Sequence, residues 1–199
     1  MKKFLTIVDT QYDFVMFKGA LYVKGAESII VPGVEFLTNL DPEEYEGVLF
    51  TFDTHVREVY EGSPESEQFN IHCEAGTPGW QNVFNPALIN RNIKVWTLNK
   101  GVFNMWEEEG LELFHEEWMG DAEQHQLVDR DLFFQNLKTF GIETIEVFGV
   151  ASDYCVKQAV DGFLARGFKV EVRKDLCKGI ALEADFVFDG IAYNNVKLV

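Results

Sequence analysis

A carboxylate, an ammonium group and a thiol each follow a different apolar run of this 199-residue chain. These groups are Asp9 after Phe4–Val8, Lys100 after Ile93–Leu98, and Cys155 in the turn after Thr144–Val150. A carboxylate beside a thiol can act as a general base and take its proton. An ammonium group beside both would keep the carboxylate ionised and stabilise the thiolate. Taken singly, each residue has an ordinary role in turns, surfaces or packing; taken together, they favour a catalytic triad.

The position of Cys155 fits a nucleophile. The pattern over 153–166 predicts a helix, and the positive N-terminal end of a helix favours the thiolate form of a cysteine. The tight turn from Gly149 to Tyr154 can also leave backbone N–H groups free to face an oxyanion. The alternative is an inert buried cysteine that packs the helix onto the sheet. Position alone does not decide between the two, and the neighbouring Asp9 and Lys100 favour the nucleophile.

A second group of residues has the chemistry of a metal site. Asp53 and His55 follow the run Val48–Phe52, and residues two apart in an extended chain point the same way. They can therefore hold one ion together, with His72 as a third ligand and Glu65 as a fourth. A carboxylate with two imidazoles suits Zn²⁺, Fe²⁺ or Mn²⁺, and of these zinc is the ion we expect first.

The elements that must position these residues alternate along the chain. Five nearly continuous apolar runs predict strands buried on both faces. They are Phe4–Val8, Val48–Phe52, Ile93–Leu98, Thr144–Val150 and Phe168–Val172. Helical patterns lie between them: one capped by Ser28 and running to Leu40, two over 131–140 and 153–166, and a weaker one after Ala181. This alternation predicts an α/β fold, a three-layer, Rossmann-like parallel sheet with helices on both faces, in a single domain over 1–199.

Such sheets bind ligands beyond the carboxyl ends of their strands, so the fold would gather the triad and the metal ligands at one edge. Two segments lack periodicity. Residues 54–92 read as loops, and the acidic, Trp-containing residues 101–128 read as a short helix or a lid. We expect His115 and His125, within that acidic segment, to be solvated surface residues.

Composition excludes several classes of partner. The net charge is −16, whereas nucleic acid and anionic membranes both require a basic face. The three cysteines are too few for a disulfide framework and indicate a reducing compartment. The apolar run near the N-terminus ends at Asp9, too early for a signal peptide, and no apolar stretch reaches membrane-spanning length. We therefore expect a cytoplasmic protein, and the sequence leaves open whether it forms a homo-oligomer.

The chain resembles nicotinamidases (pyrazinamidases) of the isochorismatase-like cysteine hydrolase superfamily. The matching pieces occur in family order over most of the chain: Val8-Asp9-Thr10-Gln11-Tyr12-Asp13-Phe14, Gly19-Ala20-Leu21, Val31-Pro32-Gly33, Thr51-Phe52-Asp53-Thr54-His55, His72-Cys73-Glu74-Ala75-Gly76-Thr77, Lys100-Gly101, Gly149–Val156 and Asp175-Leu176-Cys177-Lys178-Gly179-Ile180. The Asp-Tyr-Cys-Val element is the most specific of them. Isochorismatase itself lacks a cysteine at that position, so Cys155 favours an amidohydrolase.

The resemblance implies roles for particular residues. It implies an Asp9–Lys100–Cys155 triad, a metal held by Asp53, His55 and His72, and Glu65 as the fourth ligand of some members. It also implies a cis peptide between Val150 and Ala151, with the N–H groups of Ala151 and Cys155 facing the oxyanion. The positions that wall the substrate ring are Phe14, Leu21 and Phe69, with Phe103 as a looser candidate; the alternative for these residues is plain core.

The implied reaction is metal-dependent hydrolysis of nicotinamide, or of pyrazinamide, to the acid and ammonia through a cysteine thioester, as in NAD salvage. Two departures from the family stand out. After the lysine, the chain reads Phe103-Asn104-Met105-Trp106-Glu107-Glu108-Glu109 instead of an Asp-x-Tyr-Ser-x-Phe-like stretch, and Phe69 replaces a common tryptophan.

Two other functions remain open at this point. One is a sister amidohydrolase that acts on a carbamoyl or ureido compound and need not bind metal. The other is a catalytically silent binding module, against which the intact triad speaks.

Overall fold

Eight strands form one sheet in the computed structural model, which describes residues 2–115 and 127–199. The strands are β1 (Lys3–Val8), β2 (Tyr45–Asp53), β3 (Lys94–Lys100), β4 (Glu112–His115), β5 (Leu127–Asp129), β6 (Thr144–Val150), β7 (Lys169–Lys178) and β8 (Val196–Leu198). Their order across the sheet is β5-β4-β3-β2-β1-β6-β7-β8. All neighbouring pairs are parallel except β3–β4 and β4–β5, which are antiparallel.

The five predicted apolar runs become the five central strands, and this confirms the predicted α/β class. In β1 the side chains of Phe4, Leu5, Ile7 and Val8 are at most 1% exposed. A strand covered on both faces needs apolar residues at consecutive positions, which is why these runs do not alternate with polar residues. Because β1, β2, β3 and β6 run in parallel, their carboxyl ends lie along one edge of the sheet.

The predicted parallel sheet is confirmed for the five central strands, and at one edge β4 and β5 add an antiparallel extension that the sequence did not reveal. These strands have four and three residues, and β4 carries Glu112 and His115. Edge strands need no doubly buried run, so they leave no clear apolar pattern. The three-residue β8 at the opposite edge was missed for the same reason.

Helices cover the sheet at the predicted places, with one wrong cap. The helices are α1 (Tyr12–Val15), α2 (Ile30–Thr38), α3 (Arg57–Tyr60), α4 (Arg130–Thr139), α5 (Cys155–Ala165) and α6 (Ala184–Val187). Ser28 does not cap α2, because a 3₁₀ turn over Ala26–Ile29 leads directly into it and the Ser28 N–H bonds to the Gly25 carbonyl. Asp129 does cap α4, by accepting from the Leu132 N–H at 2.9 Å.

The segments without periodicity follow the prediction only in part. Residues 54–92 are mainly loops, interrupted by α3 and by 3₁₀ turns over Pro78–Trp80 and Pro86–Leu88. For residues 101–128 the prediction is a short helix or a lid; residues 101–110 form turns, β4 and the start of β5 follow, and residues 116–126 lie outside the described residues. His115 lies in β4, with its ring 4.5 Å from that of Trp96, and is only partly exposed. His125 lies outside the described residues. Among the described helices, none has the length and apolar character needed to cross a membrane.

Candidate active site

The carboxyl ends of β1 and β3 and the first residue of α5 bring the predicted triad together. The Lys100 Nζ lies 2.7 Å from Asp9 Oδ2 and 3.7 Å from Cys155 Sγ. All three side chains are buried, with Lys100 only 3% exposed. The geometry therefore places an ammonium group, a carboxylate and a thiol within reach of one another and away from bulk water.

Asp9 is oriented by a residue that the sequence did not point to. The Thr51 hydroxyl donates to Asp9 Oδ1 at 2.6 Å, and Asp9 itself adopts a left-handed backbone conformation with φ of 49°. Thr51 sits inside the apolar run of β2, opposite Val8 in the sheet. No spacing rule marks a threonine in such a run as functional, so only the strand register could have found it.

The surroundings of Cys155 oppose the thiolate form that is expected at a helix N-terminus. Burial raises the pKa of its thiol well above the usual value; Lys100 opposes this, while the charges of Asp9 and Asp53 add to it. Burial and the two carboxylates thus favour the neutral thiol, and a thiol in that form needs a base to become a nucleophile. Asp9 is the neighbouring carboxylate that could serve as this base.

Lys100 keeps its proton despite complete burial. Burial alone would lower the pKa of its ammonium group, but the negative charges around it, first that of Asp9, raise the pKa well above the usual value. Lys100 also lies 3.5 Å from Asp53 Oδ1. It is thus a fixed positive charge shared between the triad and the second carboxylate.

The turn before α5 contains the expected cis peptide between Val150 and Ala151. The Ala151 carbonyl accepts from the N–H groups of Tyr154 and Val156, and the Ser152 N–H donates to the Lys178 carbonyl. Within the described ranges, the N–H groups of Ala151 and Cys155 donate to no backbone carbonyl. Both donors therefore remain available for an oxyanion.

The four predicted metal ligands also come together. The ligand atoms of Asp53, His55, Glu65 and His72 all lie within 4.8 Å of one another, and all four residues are buried. Asp53 Oδ2 is 3.0 Å from the Nε2 atoms of both histidines. Glu65 Oε1 is 3.6 Å from His55 Nε2 and 3.3 Å from His72 Nε2.

The donor set fits a divalent cation. Glu65 Oε1 and His72 Nε2 are buried without a hydrogen-bond partner among the described residues, which is costly unless another group satisfies them. The His72 Nδ1 lies 2.8 Å from the Asn70 carbonyl, the kind of contact that orients a ligating histidine. Two carboxylates and two imidazoles converging on one point match the ligands that zinc takes in proteins.

The carboxylates of this cluster favour a positive charge beside them. Burial alone would lower the pKa of both histidines, but the Asp53 and Glu65 carboxylates, whose oxygens lie 3.0–3.6 Å from the two Nε2 atoms, outweigh burial and raise it to about 9 for His55 and about 10 for His72. For Asp53, burial is outweighed by Lys100 and the two histidines, so its pKa lies well below the usual range. A divalent cation would supply the positive charge that these carboxylates attract.

Gln11 is a second residue whose role could not be assigned from the sequence, although it lies within one of the matching pieces. It is fully buried, and its side-chain amide brackets the backbone of Asp53, accepting from the Asp53 N–H at 2.8 Å and donating to the Asp53 carbonyl at 2.7 Å. The same amide donates to the Trp80 carbonyl at 3.0 Å. Gln11 thereby fixes Asp53, which faces Lys100 with one carboxylate oxygen and the histidines with the other.

Two of the four expected wall residues, Phe14 and Phe69, lie beside His72, and a third, Phe103, packs on Phe69. Ring centroids are 5.2 Å apart for Phe14 and His72, 6.5 Å for Phe69 and His72, and 5.8 Å for Phe69 and Phe103. Tyr154, which precedes the nucleophile, joins this group with its ring 5.9 Å from Phe69 and 5.5 Å from Phe103. Because Tyr154 directly precedes Cys155 in the sequence, it could have been predicted as a site residue.

The fourth wall residue, Leu21, is half-buried against the core, and its N–H donates to the Asp13 carbonyl. Among the described contacts, no ring or polar contact joins Leu21 to the aromatic group. The Asp13 carboxylate accepts from the Cys73 N–H at 2.8 Å, so Leu21 and the loop that carries His72 are connected through Asp13.

Comparison with known proteins identifies proteins similar to this chain in sequence and in fold. No family model matches the chain. The nicotinamidase/pyrazinamidase of Mycobacterium tuberculosis (strain ATCC 25618 / H37Rv) is 27% identical over 189 residues, which cover 90% of this chain and 88% of that protein. Among solved structures, the pyrazinamidase of Pyrococcus horikoshii in complex with zinc has a TM-score of 0.67 and 26% identity, covering 100% of this chain and 99% of that one.

A nicotinamidase/pyrazinamidase from Bacillus subtilis has a TM-score of 0.72 at 22% identity, covering 99% of this chain and 100% of that one, and this likeness concerns the fold. Sequence and fold lead to the same group of proteins. The predicted resemblance is confirmed: the chain has the isochorismatase-like α/β fold, and it is related in sequence to the nicotinamidases and pyrazinamidases.

Proposed function

We propose that this chain is a metal-dependent nicotinamidase, which hydrolyses nicotinamide to nicotinate and ammonia and also accepts pyrazinamide. One observation carries the proposal: the buried Asp9–Lys100–Cys155 group adjoins a buried cluster of four metal-type ligands. The relatives in sequence bear the names nicotinamidase and pyrazinamidase, which supports this substrate class.

The first half of the reaction forms a thioester. Asp9 takes the proton of the Cys155 thiol as the sulfur attacks the carboxamide carbon, and the N–H groups of Ala151 and Cys155 stabilise the resulting oxyanion. One such donor typically contributes about 2.7–4 kcal/mol to the transition state. Asp9 then gives its proton to the amide nitrogen as the C–N bond breaks, and ammonia departs.

The second half returns the free enzyme. Asp9 takes a proton from water as the water oxygen attacks the thioester carbon. The C–S bond breaks as Asp9 gives that proton to the sulfur, which restores the thiol, and the carboxylic acid loses the remaining water proton to solvent and leaves as nicotinate. Lys100 stays charged throughout; it holds Asp9 in place and stabilises the negative charge that passes between carboxylate, sulfur and oxygen.

The residues that would hold the metal are Asp53, His55, Glu65 and His72. When bound, the ion supplies a Lewis acid that can take the ring nitrogen of the substrate. We propose that four side chains enclose the ring: Phe14, Phe69, Phe103 and Leu21, the last of which donates its backbone N–H to the Asp13 carbonyl. Since the ring is flat and mostly apolar, aromatic walls would bind it while the triad acts on the amide.

A panel of amides tests the substrate. Purified protein, with its metal content measured before and after chelation and after zinc is restored, is assayed for ammonia release from nicotinamide, pyrazinamide, a carbamoyl compound and a ureido compound. The proposal expects activity on the first two, lost on chelation and regained with zinc. Activity confined to the carbamoyl or ureido compound, in protein that takes up no metal, would instead indicate the sister amidohydrolase.

Inactivity of the zinc-restored protein on every amide would overturn the proposal. In that case a Cys155 that also fails to react with an electrophile would indicate a silent binding module.

We place this activity in the cytoplasm as part of the same proposal. All three cysteines are buried and unpaired, as suits a reducing compartment. Fractionation of the source cells, followed by immunodetection, tests it: recovery of the protein with the membrane or secreted fraction would contradict it.

A further inference from the structure

The segment that follows Lys100 departs most from the resembled family, and it is held in place by a tryptophan. Residues 101–110 connect Lys100 to β4 and carry Phe103, one of the proposed ring walls. The Gly101 N–H donates to Glu108 Oε2 at 2.7 Å, which closes the segment into a loop. The half-buried Trp106 projects from this loop onto α5.

Trp106 rests on one face of the helix that begins with the nucleophile. Gln158, Gly162 and Arg166 are spaced four residues apart along that face. The indole Nε1–H donates to the Gln158 carbonyl at 3.2 Å, and the Arg166 guanidinium lies 3.7 Å from the ring centroid. A Cβ atom on Gly162 would lie 1.8 Å from the indole Nε1, so only glycine leaves room for the ring.

Two phenylalanine rings and a buried arginine pack around the same indole. Its ring centroid is 5.1 Å from that of Phe134 and 5.3 Å from that of Phe163. The buried Arg130 donates to the backbone carbonyls of Met105 and Glu108 on either side of it. Asp131 then bonds both Arg130 and Arg166, at 2.9 Å and 2.8 Å.

This packing joins two parts of the site. The loop begins at Lys100 and α5 begins at Cys155, so a fixed contact between loop and helix sets the distance between their residues. Phe103 stands three positions before Trp106, with its ring against Phe69 and Tyr154. A shift of the indole on α5 would therefore displace Phe103 relative to the nucleophile.

We propose that Trp106 is a positioning residue, seated on Gly162, that sets where Phe103 stands at the substrate site. This inference rests on the proposed function, because it treats Phe103 as a wall of the nicotinamide site. A purely structural tryptophan would change stability alone, whereas a positioning one also changes the affinity for substrate. The Michaelis constant for nicotinamide therefore distinguishes a positioning role from a purely structural one.

The experiment uses the zinc-restored full chain and three variants, Trp106→Ala, Gly162→Ala and the double variant. Alanine stabilises a helix interior relative to glycine, so Gly162→Ala would raise the unfolding temperature if no side chain packed against that position. We expect it instead to lower the unfolding temperature and to raise KM for nicotinamide about 2- to 12-fold, the range of one aromatic contact, with kcat within about twofold. Trp106→Ala should raise KM equally, and the double variant no further.

Two further variants serve as controls. Trp106→Phe keeps much of the ring and should give an intermediate KM, which also serves if Trp106→Ala does not fold. Trp96→Phe removes an indole that packs on Phe133 away from the site, and it should leave KM unchanged.

Three results would overturn the inference. They are an unchanged KM in Trp106→Phe and Gly162→Ala, an equal rise in KM with Trp96→Phe, and a further rise in the double variant. A wild-type chain inactive on nicotinamide would overturn the proposed function itself, which distinguishes the two failures.

Discussion

At the scale of single residues, proton transfer centres on Asp9 and Cys155. The thiol is buried beside two carboxylates, and burial with their charge favours its neutral form over the thiolate. Asp9 is paired with Lys100 and bonded to the Thr51 hydroxyl, which orient its carboxylate. In the proposed mechanism the nucleophile is therefore generated as the substrate is attacked, with Asp9 as the base.

The pH dependence of Cys155 labelling follows from its raised pKa. In metal-free wild-type protein, alkylation of Cys155 by iodoacetamide should be slow at pH 7 and rise continuously through pH 9, since the reactive thiolate is the minor form below a raised pKa. Peptide mass spectrometry follows the label at Cys155 and separates it from Cys73 and Cys177. A plateau near pH 6–7 would mean that the helix N-terminus stabilises the thiolate after all.

Removal of the Gln11 amide should weaken metal binding. Gln11→Met keeps the volume but leaves the N–H and carbonyl of Asp53 unpaired, so the central carboxylate of the cluster loses its orientation. We expect zinc affinity to fall about 10- to 100-fold, as for other residues that orient metal ligands. Competition with a chromophoric chelator measures this affinity without reference to catalysis.

Asn82→Ala is the matched control for Gln11→Met, because Asn82 bonds the neighbouring Thr10 hydroxyl rather than Asp53. Unchanged zinc affinity in Gln11→Met, or an equal loss in Asn82→Ala, would count against a specific role for Gln11.

The residues that could be predicted from the sequence are those whose chemistry is unusual for their position. Asp9, Lys100 and Asp53 each end an apolar run, where a charged group stands out. Thr51 and Gln11 act through hydrogen bonds that depend on the register between β1 and β2. A pattern along the chain carries no information about that register, so neither residue could be assigned in advance.

At the scale of elements, the nucleophile turn depends on its neighbour β7. The Asp153 carboxylate, two residues before Cys155, accepts from three consecutive N–H groups after that strand: those of Ile180, Ala181 and Leu182, at 2.7–2.9 Å. The Ser152 N–H adds a bond to Lys178. The turn is thereby held between α5 and the end of β7.

Asp153→Ala should therefore loosen the turn that presents the Ala151 and Cys155 N–H groups. We expect kcat to fall more than KM rises, and the free energy of unfolding to drop by about 1.5–3 kcal/mol, the range for hydrogen bonds to a charged acceptor. Steady-state kinetics and urea unfolding measure the two effects. Asp189→Ala, an exposed carboxylate in the same part of the chain, is the control and should change neither.

A kcat equal to wild type in the folded Asp153→Ala variant would contradict this role.

Among the elements themselves, the central strands could be predicted because burial on both faces demands continuous apolar runs. The antiparallel strands β4 and β5 and the parallel edge strand β8 could not, because each has only three or four residues and leaves no clear apolar run. The helix α5 lies within the predicted range 153–166 but begins two residues later, at Cys155; its end was predictable, since its buried stripe stops before Gly167, which takes a φ of 76°.

At the scale of the whole molecule, the charge of −16 surrounds a site that holds Lys100 and a cluster suited to a divalent cation. Nicotinamide is neutral, so this field should leave its KM unchanged between low and high salt. Nicotinate is an anion and is repelled at low salt, so its inhibition constant should fall as salt screens the field. Product-inhibition kinetics at about 0.01 and 0.15 M ionic strength test this; an inhibition constant for nicotinate that does not change would contradict it.

The central claim is that Cys155 hydrolyses nicotinamide at this site. The most direct measurement compares nicotinate formation from nicotinamide by zinc-restored wild type and Cys155→Ala, with matched zinc content and matched unfolding temperature. The account predicts steady turnover by the wild type and loss of turnover in the variant. Turnover retained by Cys155→Ala, or nicotinamide left intact by the wild type, would contradict it.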